Sequence, residues 1–494
     1  MAILLTRYWK WGLTILMGIG VFLFWSLGYP HALSYQEQYQ LFLWTTDYFW
    51  ERLSIAGGFA DWLGEFIVQF YYYPWIGAVL LAILFVVMQR LAACLLPSRW
   101  YLLSFMPPIL LWWLMGDVNV LLSLPVAVTL ALALACVPLR GRLQWVDVVL
   151  IPVAWWLTGP VLWLYVIARL LQRGWRNLWT AGWLVAVQVL GYAWLLPQWP
   201  FQMVMTGLTY YRVPMQYPHL HGYEREVYEL IWQDCQIRHE QWDKIIKRAG
   251  QYEVKTTFWS NSVNLALSQK RLLADRMFDF YQSGDDALIM PMKRDMTSNL
   301  PSAETYYRLG LINSAQRYMF DIQESILNGK KSGRCTKRII ECMLVNGHYK
   351  SALKYIDLLE KSLFYRGWAK EVRQIVTADA KTREQRINAH PQLGRLRQIR
   401  FKEDFLYSHS EKDKIFGLLF MNNHENKMAL DYFIGEMLLR GNVQGVMQYM
   451  PWAQQYGGYR MMPLGYQDAV QCIQKRGDLP GSMYGAYVKR MMRR

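Results

Sequence analysis

Four carboxylates in the first 120 residues are of a type and placement to do chemistry: Glu37, Asp61, Glu65 and Asp117. Glu37 lies in Tyr35-Gln-Glu-Gln-Tyr-Gln-Leu-Phe42, about ten residues beyond the first apolar stretch. Asp117 lies in Gly116-Asp-Val-Asn119, a loop too short to carry it far from a membrane surface. An acid held there is costly without a cation or donor beside it. Carboxylates at that depth can take a proton from a hydroxyl and hold a divalent cation, Mg or Mn, that neutralises a lipid phosphate. Glu37 is thus a candidate base and metal ligand, and Asp117 a candidate metal ligand. Asp61 and Glu65, one helical turn apart, are further catalytic candidates. Their plainer reading is the solvated face of an interfacial helix, and Arg52 is expected to interact with Asp47.

The elements that would position these acids follow from composition. Of 53 basic and 37 acidic side chains, only ten and seven fall in residues 1–200. That part is nearly uncharged and rich in Trp, Leu and Val. Residues 201–494 have the charge density of a soluble domain and carry most of the formal charge of +16. The basic surface includes no nucleic-acid motif, so membrane lipid and protein are the expected partners.

Seven apolar stretches are candidate spans: Trp11–Leu27, Tyr72–Val87, Tyr101–Met115, Val118–Val137, Val146–Leu157, Val161–Leu171 and Leu178–Leu196. The fifth and sixth are short and meet at Thr158-Gly159-Pro160, so they form either one kinked helix or a hairpin. All basic residues here except Arg52 fall in four clusters: Arg7/Lys10, Arg90/Arg99, Arg140/Arg142 and Arg169/Arg173/Arg176. A hairpin puts all four in the cytoplasm, as the positive-inside rule asks, and sends the tail to the periplasm of a bacterial inner membrane. A single helix gives six crossings and a cytoplasmic tail. The seven-crossing reading is preferred, with the N-terminus inside and Arg169 snorkelling at the inner boundary.

The first outside loop is then 28–71. In it Phe59, Trp62, Leu63, Phe66, Ile67 and Phe70 recur at helical spacing, which predicts an amphipathic interfacial helix. A second such helix is expected from about Tyr35 to Leu53, with Gly57-Gly58 as the turn between them.

From about Tyr210 onward the pattern is helix after helix. Gly310 precedes Ala315 by five residues, Gly347 precedes Ala352 by five, and the two glycines are 37 apart, near the tetratricopeptide period. Each Gly would close a helix and each Ala would allow two helices to approach. Gly441 opens a weaker third instance. Such helix pairs present a surface to a protein partner, which makes these four residues markers of a partner-binding region. The six cysteines have no metal spacing; Cys335 and Cys342, about 10 Å apart on one helix, are too far to bond. No P-loop, H-E-x-x-H or G-x-S-x-G occurs, and His219-Leu-His221 reads as loop.

The layout of residues 1–200 resembles the GT-C class of membrane glycosyltransferases. The likeness consists of an odd-numbered bundle, a long first outside loop with two interfacial helices, an acid soon after the first span, and an acid in the next outside loop. A GT-C bundle followed by tetratricopeptide-like helices is also similar to an architecture used in protein O-mannosylation. The resemblance implies sugar transfer from a polyprenyl-phosphate-linked donor, with Glu37 matching the first-loop acid and Asp117 the second-loop acid. The first-loop position in that class is often Asp or Asp-Glu, whereas here a lone Glu stands within Gln-Glu-Gln. Tyr35–Phe42, Gly57-Gly-Phe-Ala-Asp-Trp-Leu-Gly-Glu-Phe66 and Asn346-Gly-His-Tyr-Lys-Ser-Ala-Leu-Lys-Tyr355 resemble an uncharacterised bacterial family of polytopic proteins with tetratricopeptide-like tails. The expected fold is therefore all-α: a membrane domain over 1–200, a seven-helix GT-C-like bundle, and a soluble helical domain over 201–494. The expected function is a glycosyltransferase acting on an envelope acceptor; the alternative is a non-catalytic, membrane-anchored scaffold. A transporter is disfavoured because no span carries a charge at its middle.

Overall fold

The computed structural model describes residues 2–139, 145–174, 177–207, 210–211, 222–251, 254–291, 299–326, 330–401, 411–477 and 479–493. It is all-helical, with no β-strand among the described residues. The chain forms two compact units. The first takes Met1–Tyr228 together with two later pieces, Ile326–Gly333 and Leu358–Gly367; the second takes Glu229–Ser325, Arg334–Asp357 and Trp368–Arg494. His219 and His221 lie outside the described residues.

The first unit begins with α1 (Ala2–Leu23), extended by a π turn to Gly28, then α2 (Pro30–Gln38), α3 (Thr46–Leu53) and α4 (Gly58–Val68). The helix expected over Tyr35–Leu53 is thus broken. Residues between α2 and α3 are extended instead, because Leu41 N donates to Lys331 O and Trp44 N to Lys361 O, each at 2.8 Å. Helix α3 restarts where Thr45 caps the Tyr48 amide, with Asp47 in its first turn and Arg52 in its last, as the helix dipole favours. Gly57 opens α4 at φ 78, a conformation that favours glycine. A Cβ there would sit 2.2 Å from the Tyr211 hydroxyl and 3.1 Å from the Gly159 Cα.

Next come α5 (Pro74–Leu95), α6 (Met106–Leu114), α7 (Ser123–Cys136), α8 (Asp147–Thr158), α9 (Trp163–Arg173), α10 (Leu178–Leu195) and α11 (Phe201–Thr206). Pro74 starts α5, where its missing N–H costs nothing. The expected third span is only partly α-helical, being a 3-10 stretch over Ser98–Phe105 followed by α6, which opens on Pro107-Pro108. Four segments are long and apolar enough to cross a membrane: Tyr8–Gly28, Pro74–Leu95, Asp147–Gln172 and Leu178–Leu195; α7 is apolar but shorter. Helix α7 is the hub, packing on α4, α5 and α9, with Ala127, Ala131 and Ala135 wholly buried. A buried polar chain ties α1 to α5 and the 98–105 turn: Thr14 donates to Gln89 Oε1 at 2.8 Å, and Gln89 Nε2 to Ser104 Oγ at 2.7 Å.

Asp147–Gln172 is a hairpin. Eighteen residues of straight helix would separate Asp147 from Tyr165 by about 27 Å, yet the Tyr165 hydroxyl bonds the Asp147 carboxylate. The reversal occurs at Gly159, φ 65, followed by Pro160. Its arms have 12 and 11 residues, about 18 and 17 Å against a hydrocarbon core of about 30 Å. Helix α10 then runs beside α8 in the same direction, with Trp183 Nε1 on Val148 O at 2.9 Å and Gln188 Nε2 on Pro160 O at 3.2 Å. It delivers Tyr210 and Tyr211 to the Gly57 end, where their hydroxyls bond Ala56 O at 2.7 Å and Gly57 O at 3.1 Å. Arg169 does not snorkel: it is 1% exposed and donates to Val137 O at 2.9 Å, capping α7. Exposed Trp9, Trp11, Trp100 and Trp145 ring the end opposite Gly57, and exposed Trp44, Trp50, Tyr72, Tyr73 and Trp75 ring the Gly57 end.

The second unit is a succession of short helices. Gly310 (φ 91), Gly347 (φ 80) and Gly441 (φ 68) close Asn299–Leu309, Gly333–Asn346 and Lys427–Arg440. Ala315 and Ala352 are wholly buried in the joints that follow, and Gly347 lies at an exposed turn. Cys335 and Cys342 are free thiols. Glu304 is the centre of a buried network, with Arg338 at 2.6 Å, Arg334 at 3.6 Å and Arg308 at 3.9 Å; Arg334 also meets Asp234 at 2.6 Å. Burial pushes the Glu304 carboxyl up, but the three guanidinium groups outweigh it and hold it at about 2.

A candidate site of buried acids in the first unit

The polar face of α4 is not solvated. Asp61 is 8% exposed and Glu65 0%. Lys330, at 2% exposure, puts its ammonium 2.7 Å from Asp61 Oδ1 and 3.0 Å from Glu65 Oε1. Arg52 Nε lies 3.4 Å from Glu65 Oε2. This pair with Glu65 is not anticipated by the sequence, which offers Asp47 as the partner. Ser123 Oγ donates to Asp61 at 2.6 Å and the Tyr48 hydroxyl donates to Glu65. The Arg52 guanidinium lies over the Tyr48 ring, 4.9 Å from its centroid.

Two cations and two carboxylates therefore share one dry site, brought there by local rules. Helix periodicity puts Asp61 and Glu65 on one face. Gly64, on the same helix, lets the start of α7 approach so closely that a Cβ would meet Ser123 N at 2.9 Å. Ser123, the first residue of α7, thereby reaches Asp61. Burial alone would raise the Asp61 carboxyl; Lys330, Arg52 and the Ser123 hydroxyl together hold it below the usual carboxylate range. Burial, then the Glu65 charge, pushes the Tyr48 hydroxyl well up, so it stays a proton donor.

Glu37 sits on α2, a helix buried from His31 to Gln38 although it carries His31, Ser34, Gln36 and Gln38. The Tyr365 hydroxyl donates to Glu37 Oε1 at 2.8 Å. Beside Tyr365, Phe364 stacks on Tyr72 at 5.2 Å. Asp117 is 4% exposed and accepts from the Asn119 amide at 3.0 Å within its own turn. Gln36 reaches the same turn, donating to Val118 O at 3.3 Å and Val120 O at 3.1 Å.

The structure thus brings Asp61 and Glu65 into one ion network, and Gln36, beside Glu37, bonds the turn that holds Asp117. Among the described residues no group of three or more His, Cys, Asp or Glu is arranged to hold a metal ion. Lys330, Tyr365, Tyr48 and Ser123 were not singled out by sequence reasoning. For Lys330 and Tyr365 no local signal exists, since their partners lie 269 and 328 positions away. For Ser123 the position at the head of an apolar stretch was the one available cue.

An apolar groove of about 860 Å³ opens elsewhere in this unit, between α6 and α9 over α7. Leu124, the neighbour of Ser123, lines it. No curated protein and no solved structure matches the chain. Residues 7–493 match DUF6057, a family of unknown function, and the chain belongs to that family.

Proposed function

We propose that this member of the DUF6057 family is a membrane-anchored, non-catalytic scaffold of the bacterial envelope. In this reading an odd number of crossings, seven when both short arms of the Gly159 hairpin span a locally thinned bilayer, leaves the N-terminus in the cytoplasm, and the tetratricopeptide-like tail recruits a protein partner in the periplasm. The observation that carries it is the neutralisation of Asp61 and Glu65 by Lys330 and Arg52. Asp61, held below the usual carboxylate range by Lys330 and Arg52 in spite of its burial, is a weak base toward a hydroxyl. Its energetic role is cohesion: removing one member of such a pair costs about 3–5 kcal/mol.

A second reading is favoured by the buried polar helix α2. A buried carboxylate among amides is a poised environment for a general base. Here the protein is a GT-C-like glycosyltransferase that moves a sugar from a polyprenyl phosphate to an envelope acceptor, with Glu37 as base. A divalent cation, Mg or Mn, would then be shared by Glu37 and Asp117. Envelope glycan profiles of cells carrying Glu37→Gln or Asp117→Asn separate the readings. The scaffold expects profiles like those of wild type at normal protein levels. Loss of one glycan in either variant, at normal levels, overturns the scaffold and selects the transferase.

A further inference from the structure

The groove over α7 is lined by Leu96, Leu103, Leu110, Val128, Ile167 and Met205 among others, and its walls are almost wholly apolar. Its volume of about 860 Å³ falls in the range of ligand sites, roughly 300–1,000 Å³. An open apolar surface of that size marks a place where a partner or a lipid lies.

Charge marks one end of the groove. Between the lining residues Leu96 and Leu103 the chain passes through Ser98 and exposed Arg99. Lys10 Nζ donates to Ser98 Oγ at 2.6 Å, and the Arg90 guanidinium lies 4.0 Å over the Trp11 ring. Residues 1–36 and 66–116 supply four cations, Arg7, Lys10, Arg90 and Arg99, and no acid at all. The exposed rings of Trp9, Trp11 and Trp100 stand at this end, at headgroup level for a chain in a bilayer. An apolar slot with Lys10 and Arg99 at one rim matches a molecule with a long hydrocarbon chain and an anionic head.

We propose that the groove holds an acyl chain of an anionic glycerophospholipid, with its phosphate against Lys10 and Arg99. The assignment rests on the membrane reading above and is independent of the choice between scaffold and transferase. The phosphate gains Coulomb energy from both cations, and each basic side chain near an anionic lipid surface is worth about fivefold in affinity.

The test uses the full chain in nanodiscs of equal phosphatidylglycerol and phosphatidylethanolamine, extracted into mild detergent, with retained lipid counted by phosphorus and identified by mass spectrometry. Wild type is expected to retain phosphatidylglycerol in preference. Val128→Trp, which fills the floor, should at least halve the retained phosphorus. Ile167→Trp, at a half-exposed rim position, gives the same loss if the first variant fails to fold. Arg99→Glu, which removes one positive charge and adds a negative one, should lower the ratio of phosphatidylglycerol to phosphatidylethanolamine at least about fivefold. Full retention in a folded groove-filling variant overturns the proposal, as does an unchanged ratio in Arg99→Glu. Recovery of a polyprenyl phosphate instead of glycerophospholipid from native membranes overturns it too. A chain released from membranes by alkaline carbonate sinks the membrane reading itself; one that stays integral but carries no lipid sinks this assignment alone.

Discussion

The Lys330 ammonium lies 2.7 Å from Asp61 Oδ1, across 269 positions of sequence. It also lies 3.0 Å from Glu65 Oε1, so one cation from the later part of the chain faces two carboxylates of α4.

Removing that cation leaves two buried acids to share Arg52. Lys330→Met is expected to destabilise the first unit by about 3–5 kcal/mol. Adding Asp61→Asn should recover part of the loss, because it removes the stranded charge. Thermal melting of both variants in detergent, read beside wild type, checks the order wild type, double, single.

Stability of the second unit should fall in acid through Glu304. Its folded value of about 2 lies below its ordinary 4.5. The contribution is therefore full above 4.5 and is lost as pH drops from 4.5 toward 2. The shift corresponds to about 3 kcal/mol. Glu304→Gln should be less stable at pH 7 and should lack this acid slope, which denaturant titrations at pH 7 and pH 3 measure.

Gly57 combines a positive φ with a steric limit. Gly57→Ala should cost about 1–3 kcal/mol from backbone strain alone, and more from the Tyr211 hydroxyl 2.2 Å from the new methyl. Combining it with Tyr211→Phe relieves the second cost but not the first. The melting temperature of the double variant should therefore lie above that of Gly57→Ala alone and below that of Tyr211→Phe alone.

The hairpin at Gly159 bears on orientation. Alkaline phosphatase fused after Pro200 is expected to be active and β-galactosidase at the same site inactive. The reverse pattern would place the tail in the cytoplasm and remove the seven-crossing topology.

Local patterns made several of these features readable. Gly57-Gly58 and Gly159-Pro160 mark real turns, at φ 78 and φ 65. Gly310, Gly347 and Gly441 close helices as their spacing suggests. The apolar content of the first 200 residues marks them for a membrane, but of the seven expected spans only four segments are long and apolar enough to cross one. What failed was the reading of α4. Amphipathic periodicity locates a polar face but not what that face meets, and water and a buried Lys–Arg pair leave the same trace in sequence. The break between α2 and α3 was hidden for the same reason. Tyr39–Thr45 has no Gly or Pro, and its extended form follows from carbonyl acceptors hundreds of residues away.

Those acceptors impose an order on biosynthesis. Leu41 leaves the ribosome about 290 residues ahead of Lys331, to which it is bonded, a delay of roughly 15–60 s at ordinary translation rates. Throughout that interval the nascent first loop holds open amides and two acids awaiting their ammonium. Formation of the early helices and completion of this network around them are therefore separate events in synthesis.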